Sequence, residues 1–384
     1  MKLTHLLPAI LFFILYSCQK NNDKKLEKEL LGEWIYIKTD DLRKPQTNNN
    51  PNIPPPPPPP PFGSPKRGYI FLENNIAENK SGYFKRIDAV ERENRKTFFL
   101  GTRTKYKIEN DSIKIFNLGS KTWENQKLHS IIGDTLTTEI GDSIFAKYAR
   151  TQYKINPTEN YDQIIVSSSG CYGSCPISNI SIDNNGNIIY YGQEYNTQNG
   201  LFKSKITKEQ YQEIQTNFKK ADILNLEDNY EGNWTDDETV TITFIKNNKI
   251  IKTIRDYGIQ SPTALVWAYT PVRYLYQHIK LTSLKKEKLL FPIWRISFRK
   301  GNQICDLTKS ESYYLFTEIL KGKETNDTFE HKYYIEFWND QDKKEIIDTD
   351  GRYFKSKDKT IDIGYNFLIS NNFIAKFRLK DKYD

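Results

Sequence analysis

Thr104-Lys105-Tyr106-Lys107-Ile108-Glu109-Asn110-Asp111-Ser112-Ile113-Lys114-Ile115-Phe116 is the stretch whose reading decides the fold of the first part of the chain. Apolar and polar residues alternate through Thr104–Ile108 and again through Ser112–Phe116, so each run gives one face to a core and one to water. Glu109-Asn110-Asp111 between them is a turn signal, which makes the pair a hairpin. Working outward, Leu30-Leu31-Gly32-Glu33-Trp34 leads into Ile35-Tyr36-Ile37, and Ser143–Tyr148 is a further short strand. Asn-Asp, Gly-Asp and Gly-Ser signals separate these runs. The spacing predicts an antiparallel up-and-down barrel over residues 26–150.

Composition agrees with a β-rich chain. Its 384 residues leave room for two or three domains, and 25 Tyr with 21 Phe supply large strand-favouring side chains for cores. The net charge of +8 is spread along the chain rather than gathered in a basic block. The excess Lys either faces an anionic membrane or glycan surface or belongs to a solvated surface with no partner, and the export signal at the N-terminus makes a nucleic-acid partner unexpected. The fold class expected is an α+β multidomain protein: a barrel followed by one or two α+β sandwich domains.

The N-terminus gives an address. Lys2 supplies a positive charge, Leu6 to Leu15 an apolar run, and Leu15-Tyr16-Ser17-Cys18 ends it with a small residue before a cysteine. This pattern resembles the signal of bacterial lipoproteins. The resemblance implies removal of residues 1–17, lipidation of Cys18, and a short tether over 18–25. The run is roughly ten residues and contains Pro8, against about 20 needed to span a bilayer, so a spanning helix is not expected. The expected location is the cell envelope, lipid-anchored at the outer membrane on its periplasmic face or the cell surface.

Leu31-Gly32-Glu33-Trp34, the Trp123 region and Ile144-Phe145-Ala146-Lys147-Tyr148 together resemble lipocalin-like domains of bacterial lipoproteins. The resemblance implies a barrel mouth able to hold a small apolar ligand. A proline-rich insertion at 45–66 interrupts this module, with eight consecutive prolines from Pro54 to Pro61. Such a run favours a polyproline II rod of about 25 Å. It is either a stiff loop extension or a ligand for an aromatic-lined groove on a partner.

A second module is expected over 160–281: a strand at Asp162–Ser167, hairpins at Ile177–Tyr191 and Val240–Arg255, and helices at Lys208–Ala221 and Ala264–Ile279. Thr207 is the N-cap of the first helix. A third module, 289–384, carries a strand at Trp294–Arg299, a helix at Ser312–Leu320, a hairpin at Tyr333–Ile347 and a last strand pair near Tyr365–Phe377.

The densest motif is Gly170-Cys171-Tyr172-Gly173-Ser174-Cys175-Pro176. Export implies an oxidising compartment, so Cys171 and Cys175 are a disulfide candidate first, with a metal or redox role as the alternative. Four extended steps exceed the Cα separation a disulfide allows, so bridging demands a turn, which Gly173 permits. Gly-Cys-x-Gly-x-Cys-Pro, Thr235-Asp236 and Arg255-Asp256-Tyr257-Gly258 resemble a bacterial domain family of unknown function over roughly 160–280. The resemblance implies domain boundaries and no activity. Cys-x-x-x-Cys-Pro also resembles copper-delivery proteins, which would need His278 as a third ligand and a helix after the motif.

Other candidates are weaker. Asp236 and Asp237, with Glu238, form an acidic turn that would serve as an acid–base pair or cation site only if the carboxylates converge. Asp183-x-Asn185-x-Asn187 with Glu194 mimics a calcium loop but reads as a hairpin turn, because Ile188 stands where glycine is required. Cys305 reads as a buried thiol. His129, His278 and His331 have no metal spacing. Ser167-Ser168-Ser169 lacks a nucleophile elbow, and there is no phosphate loop. No catalytic residue and no cofactor is expected. The function expected is a lipid-anchored, non-catalytic envelope protein that binds a small apolar ligand or acts as a scaffold. Thiol-redox or copper handling through Cys171 and Cys175, or glycan binding at the surface, are the alternatives.

Overall fold

The computed structural model describes residues 23–43, 66–91, 94–284, 295–338, 343–356 and 359–381. The readings that fall on Cys18, on the signal segment and on Pro54–Pro61 lie outside the described residues. The chain divides into two compact units, one formed by Met1–Lys85 with Phe99–Lys154 and the other by Arg86–Phe98 with Ile155–Asp384.

The first unit contains the expected antiparallel barrel, and the barrel is closed. Its strands are β1 (Gly32–Asp41), β2 (Gly68–Leu72), β3 (Ile76–Asn79), β4 (Arg103–Glu109), β5 (Ser112–Asn117), β6 (Thr122–Ile132), β7 (Thr135–Gly141) and β8 (Ile144–Arg150). Each pairs with its neighbour in sequence, and β1 returns to pair with β8. The quoted stretch is the β4–β5 hairpin, in register Glu109↔Ser112 to Tyr106↔Ile115. Asn110 and Asp111 both take positive φ, the conformation that matches a two-residue turn to the strand twist.

Alternate residues of these strands fill the barrel. Trp34, Phe71, Tyr106, Ile113, Ile115, Leu136 and Tyr148 are all buried in one cluster. Their rings form a continuous run: Phe71 meets Tyr106 at 5.0 Å, Tyr69 meets Phe71 at 5.9 Å and Tyr148 at 6.0 Å. A helix at 23–30 (α1) closes one end, and the Leu30 carbonyl accepts a 2.7 Å hydrogen bond from Trp34 Nε1.

The second unit has two eight-stranded sheets. The central sheet comprises β9 (Gln163–Ser168), β10 (Ile177–Asp183), β11 (Asn187–Glu194), β12 (Gly200–Lys205), β13 (Asn229–Glu231), β14 (Thr239–Lys246), β15 (Lys249–Tyr257) and β16 (Thr282–Ser283). Its order is β13-β15-β14-β9-β10-β11-β12-β16, antiparallel except where β13 meets β15. Helices α2 (Lys208–Lys220) and α3 (Thr263–Arg273) belong to the same domain, and α3 packs on β9 and β10. Thr207 caps α2 as expected, with Gln210 completing a reciprocal capping box.

The last sheet contains β17 (Ser297–Lys300), β18 (Gln303–Asp306), β19 (Lys323–Thr325), β20 (Tyr333–Trp338), β21 (Lys344–Thr349), β22 (Tyr353–Ser356), β23 (Lys359–Asp362) and β24 (Arg378–Leu379). Helix α4 (Lys309–Lys321) packs on β9, β10 and β14 of the central sheet. Its residues share one core with Ile165, Leu201 and Ile245 of that sheet and with Phe298, Ile335 and Phe354 of the last sheet. Strand β9 is therefore buried on both faces throughout.

Two expectations are corrected. The stretch near Tyr365–Phe377 is not a strand pair but a short helix α5 (Phe367–Ser370) followed by a 3-10 turn at Phe373–Lys376. Asn366 caps α5 by accepting from the Ile369 amide, which commits the chain to a helical turn. The helix expected over Ala264–Ile279 stops at Arg273, and a separate 3-10 turn covers Leu275–Gln277.

Candidate functional site

Three loops meet at one end of the inner strands of the central sheet. The first joins β9 to β10 and carries a Cys171–Cys175 disulfide with a Cα separation of 5.6 Å. Ser168 Oγ donates to the Pro176 carbonyl across the base of this loop, at 2.8 Å. The second is the acidic turn before β14. Tyr172 N donates to the Asp236 carbonyl at 3.0 Å, and Thr239 N donates to Ser169 Oγ at 2.9 Å. The crosslinked loop and the acidic turn are thus tied together through their backbones, and Tyr172 projects outward at 81% exposure.

The acidic side chains do not converge. Asp236 has φ 72° and is exposed. Asp237 accepts from Trp234 Nε1 at 3.2 Å and from the Glu238 amide at 2.8 Å. Glu238 faces the other way and receives both Nη groups of Arg273, at 2.8 and 2.5 Å, in a largely buried bidentate pair. The geometry is that of a braced turn, not of an acid–base pair.

The third loop follows β15. Buried Asp256 organises it by accepting from Gln260 N (2.6 Å), Ser261 N (3.0 Å), Ser261 Oγ (2.5 Å) and Tyr269 Oη (3.0 Å). The Trp234 ring lies so close to Gly258 that a Cβ there would approach ring carbons to 2.8 Å, and Gly258 has φ 68°. Ile259 follows with φ 57° at 40% exposure. A β-branched residue in this region is a true outlier with a strain of order 1–3 kcal/mol, of the kind that clusters at functional surfaces.

Cys171 and Cys175 therefore pair as the sequence suggested. The chain after them enters strand β10 and not a helix. His278 lies just beyond the 3-10 turn that follows α3, and among the described residues no three His, Cys, Asp or Glu side chains group to hold a metal. The Asp183 carboxylate is taken by its own turn, accepting from the Asn185 and Asn187 amides at 2.9 Å each. Cys305 is buried and free, its Sγ directed at the Phe373 carbonyl. Burial pushes its thiol up to about 11.

Sequence reasoning missed Ile259 and Arg273. Nothing local marks an isoleucine for positive φ, and Arg273 becomes a partner of Glu238 only through packing of α3. It also missed the far side of the site, where Lys309 at the start of α4 donates to the Ser168 carbonyl and to Gln193 Oε1, both at 2.8 Å.

These loops lie within, or directly flank, the part of the chain that comparison picks out. Residues 162–276 match a family described as "Domain of unknown function (DUF6438)". No curated protein and no solved structure matches the chain.

Proposed function

We propose that this chain is a lipid-anchored, non-catalytic binding protein of the bacterial cell envelope, and that the rim around Tyr172 is its recognition surface. The observation that carries the reading is Tyr172, widely exposed on a loop that is both crosslinked and bonded to the neighbouring acidic turn. An aromatic held this way loses little conformational freedom on binding, which is what preorganised recognition requires.

The ligand class that fits is an envelope glycan. A ring face at Tyr172 offers stacking to a sugar's C–H face, and the exposed Asp236 carboxylate accepts from hydroxyls. The lipid anchor rests on the Cys18 pattern in the sequence. The apolar-ligand reading has less behind it, since aromatic side chains occupy the interior positions of the barrel. Among the described residues no helix is long and apolar enough to cross a membrane.

Two measurements test this. Metabolic labelling with an alkyne fatty acid in an expressing bacterium should tag the chain, and Cys18→Ser should abolish the tag. Purified peptidoglycan sacculi should retain the mature protein, and Tyr172→Ala with Asp236→Asn should lower retention at least tenfold. Equal retention of the variant, or none of the parent, overturns the rim assignment.

A further inference from the structure

One row of side chains runs across four strands of the central sheet beneath α4. Register pairs Thr241 of β14 with Ser167 of β9, Ser167 with Asn179 of β10, and Asn179 with Tyr191 of β11, so all four point to the same face. Helix α4 engages this row near both ends. The Ser310 amide donates to Thr241 Oγ1 at 3.1 Å, and Tyr313 follows three residues on along the same side of the helix. Burial holds the Tyr313 phenol well above its ordinary range, and Tyr191 is the neighbouring group that raises it further. Lys309 closes the row on the side of the crosslinked loop, through its bonds to the Ser168 carbonyl and Gln193 Oε1.

The middle of the row is polar, buried and unbonded. Ser167, Asn179 and Tyr313 are each 1% exposed. Ser167 Oγ, both amide atoms of Asn179 and Tyr313 Oη have no hydrogen-bond partner among the described residues. A buried polar group left unbonded costs about 1–3 kcal/mol. Four such atoms on facing elements call for a shared partner.

We propose that this row is an internal water site, where about one or two water molecules bridge Ser167, Asn179 and Tyr313 between the sheet and α4. The chemistry of the atoms selects the occupant. Asn179 presents a donor and an acceptor side by side, and each hydroxyl acts either way. Water answers both, and at such a site it makes about three bonds. An anion would face Asn179 Oδ1. A cation would face Asn179 Nδ2, with no carboxylate in the row to balance it. The spacing agrees. Directly paired residues hold their Cβ atoms about 4.5–5.5 Å apart, yet Ser167 and Asn179 do not bond each other, and one bridging water spans such a gap. Through Lys309 and Ser168 the site adjoins the crosslinked loop, so its waters form part of the floor on which that loop rests.

The test uses the mature chain. Oxygen-17 relaxation dispersion counts the water molecules that stay bound for longer than the protein takes to tumble. Asn179→Leu with Ser167→Ala and Tyr313→Phe should lower that count by about one or two relative to the parent, with circular dichroism showing that the fold is kept. High-resolution diffraction from the parent gives a reading that needs no variant. Water density is expected within hydrogen-bond distance of Ser167 Oγ, the Asn179 amide and Tyr313 Oη. An unchanged count in the folded variant overturns the proposal. So does a parent structure in which Ser167, Asn179 and Tyr313 bond one another directly. Bromide soaked into the same crystals should give no anomalous peak at the row, and a peak there overturns water in favour of an anion.

Discussion

The guanidinium of Arg150 lies 4.2 Å from the centre of the Trp34 ring, joining the last strand of the barrel to the first. Its Nη2 donates to the Glu29 carbonyl at 2.7 Å and its Nη1 to the Leu31 carbonyl, so one side chain satisfies the end of α1 and covers the tryptophan. Gly32 has φ +122°, and a Cβ there would come within 2.7 Å of Arg150 Nη1.

Arg150→Met should therefore lower the stability of the barrel by about 2–4 kcal/mol, from a lost cation–π contact and two charge-assisted hydrogen bonds. Arg150→Lys should recover only part of it, since an ammonium lacks the fork. Denaturant unfolding followed by near-UV circular dichroism checks this. An unchanged midpoint would refute it.

The Cys171–Cys175 bridge closes a loop of only five residues, for which chain entropy gives roughly 2 kcal/mol. Cys171→Ser with Cys175→Ser should cost about that much in the unfolding of the second unit. The same variant should speed amide exchange at Tyr172, whose hydrogen bond to Asp236 depends on loop placement. Unaltered exchange would mean that the backbone ties hold the loop without the bridge.

Ile259→Asn should raise the unfolding free energy by about 1 kcal/mol, since asparagine tolerates the left-handed region that costs isoleucine about 1–2 kcal/mol. A drop in stability would show that contacts of the isoleucine side chain outweigh its backbone strain.

Lys309 gives a pH dependence with a definite sign. Burial lowers its ammonium to about 8, and both its hydrogen-bond acceptors are neutral. The unfolded chain holds this proton up to about pH 10.4, so between about pH 8 and 10.4 the unfolded state binds more protons and stability rises with pH. Below pH 8 the cost of the buried charge is fully present. Relative to Lys309→Met, the parent should gain roughly 1–3 kcal/mol over that window, read from denaturant midpoints at each pH. Parallel curves for the two proteins would sink the assignment.

The sequence was most legible where alternation is clean and turns are short. The β4–β5 hairpin, α2 with its Thr207 cap, and the β14–β15 hairpin with Asn247 and Asn248 at positive φ lie within one or two residues of where patterning put them. Strand β6 was not legible, because most of Thr122–Ile132 is polar and much of it is exposed, so no alternation marks it. Tyr365–Phe377 misled in the opposite way: its apolar residues mimic strand periodicity, while Asn366 and Asn372 impose helical turns. At the site, the cysteine pair and the acidic turn were visible as residues. Their union was not, because it runs through backbone groups of Tyr172 and Asp236 that carry no sequence signal.

Helix α4 bears on where the folding unit ends. It covers a face of the central sheet that is rich in hydroxyls and amides. Thr241 Oγ1 accepts from Ser310 N at 3.1 Å, Thr243 Oγ1 bonds Ser310 Oγ at 2.7 Å, and Gln163 Nε2 donates to Thr317 Oγ1 at 3.3 Å. The stretch shared with the family ends before that helix begins. Cut at the family's limits, the domain would present Ile165, Leu201 and Ile245 to water together with those polar groups. In this protein the segment that matches the family model is smaller than the segment that folds, because α4, from beyond its limit, supplies one wall of its core.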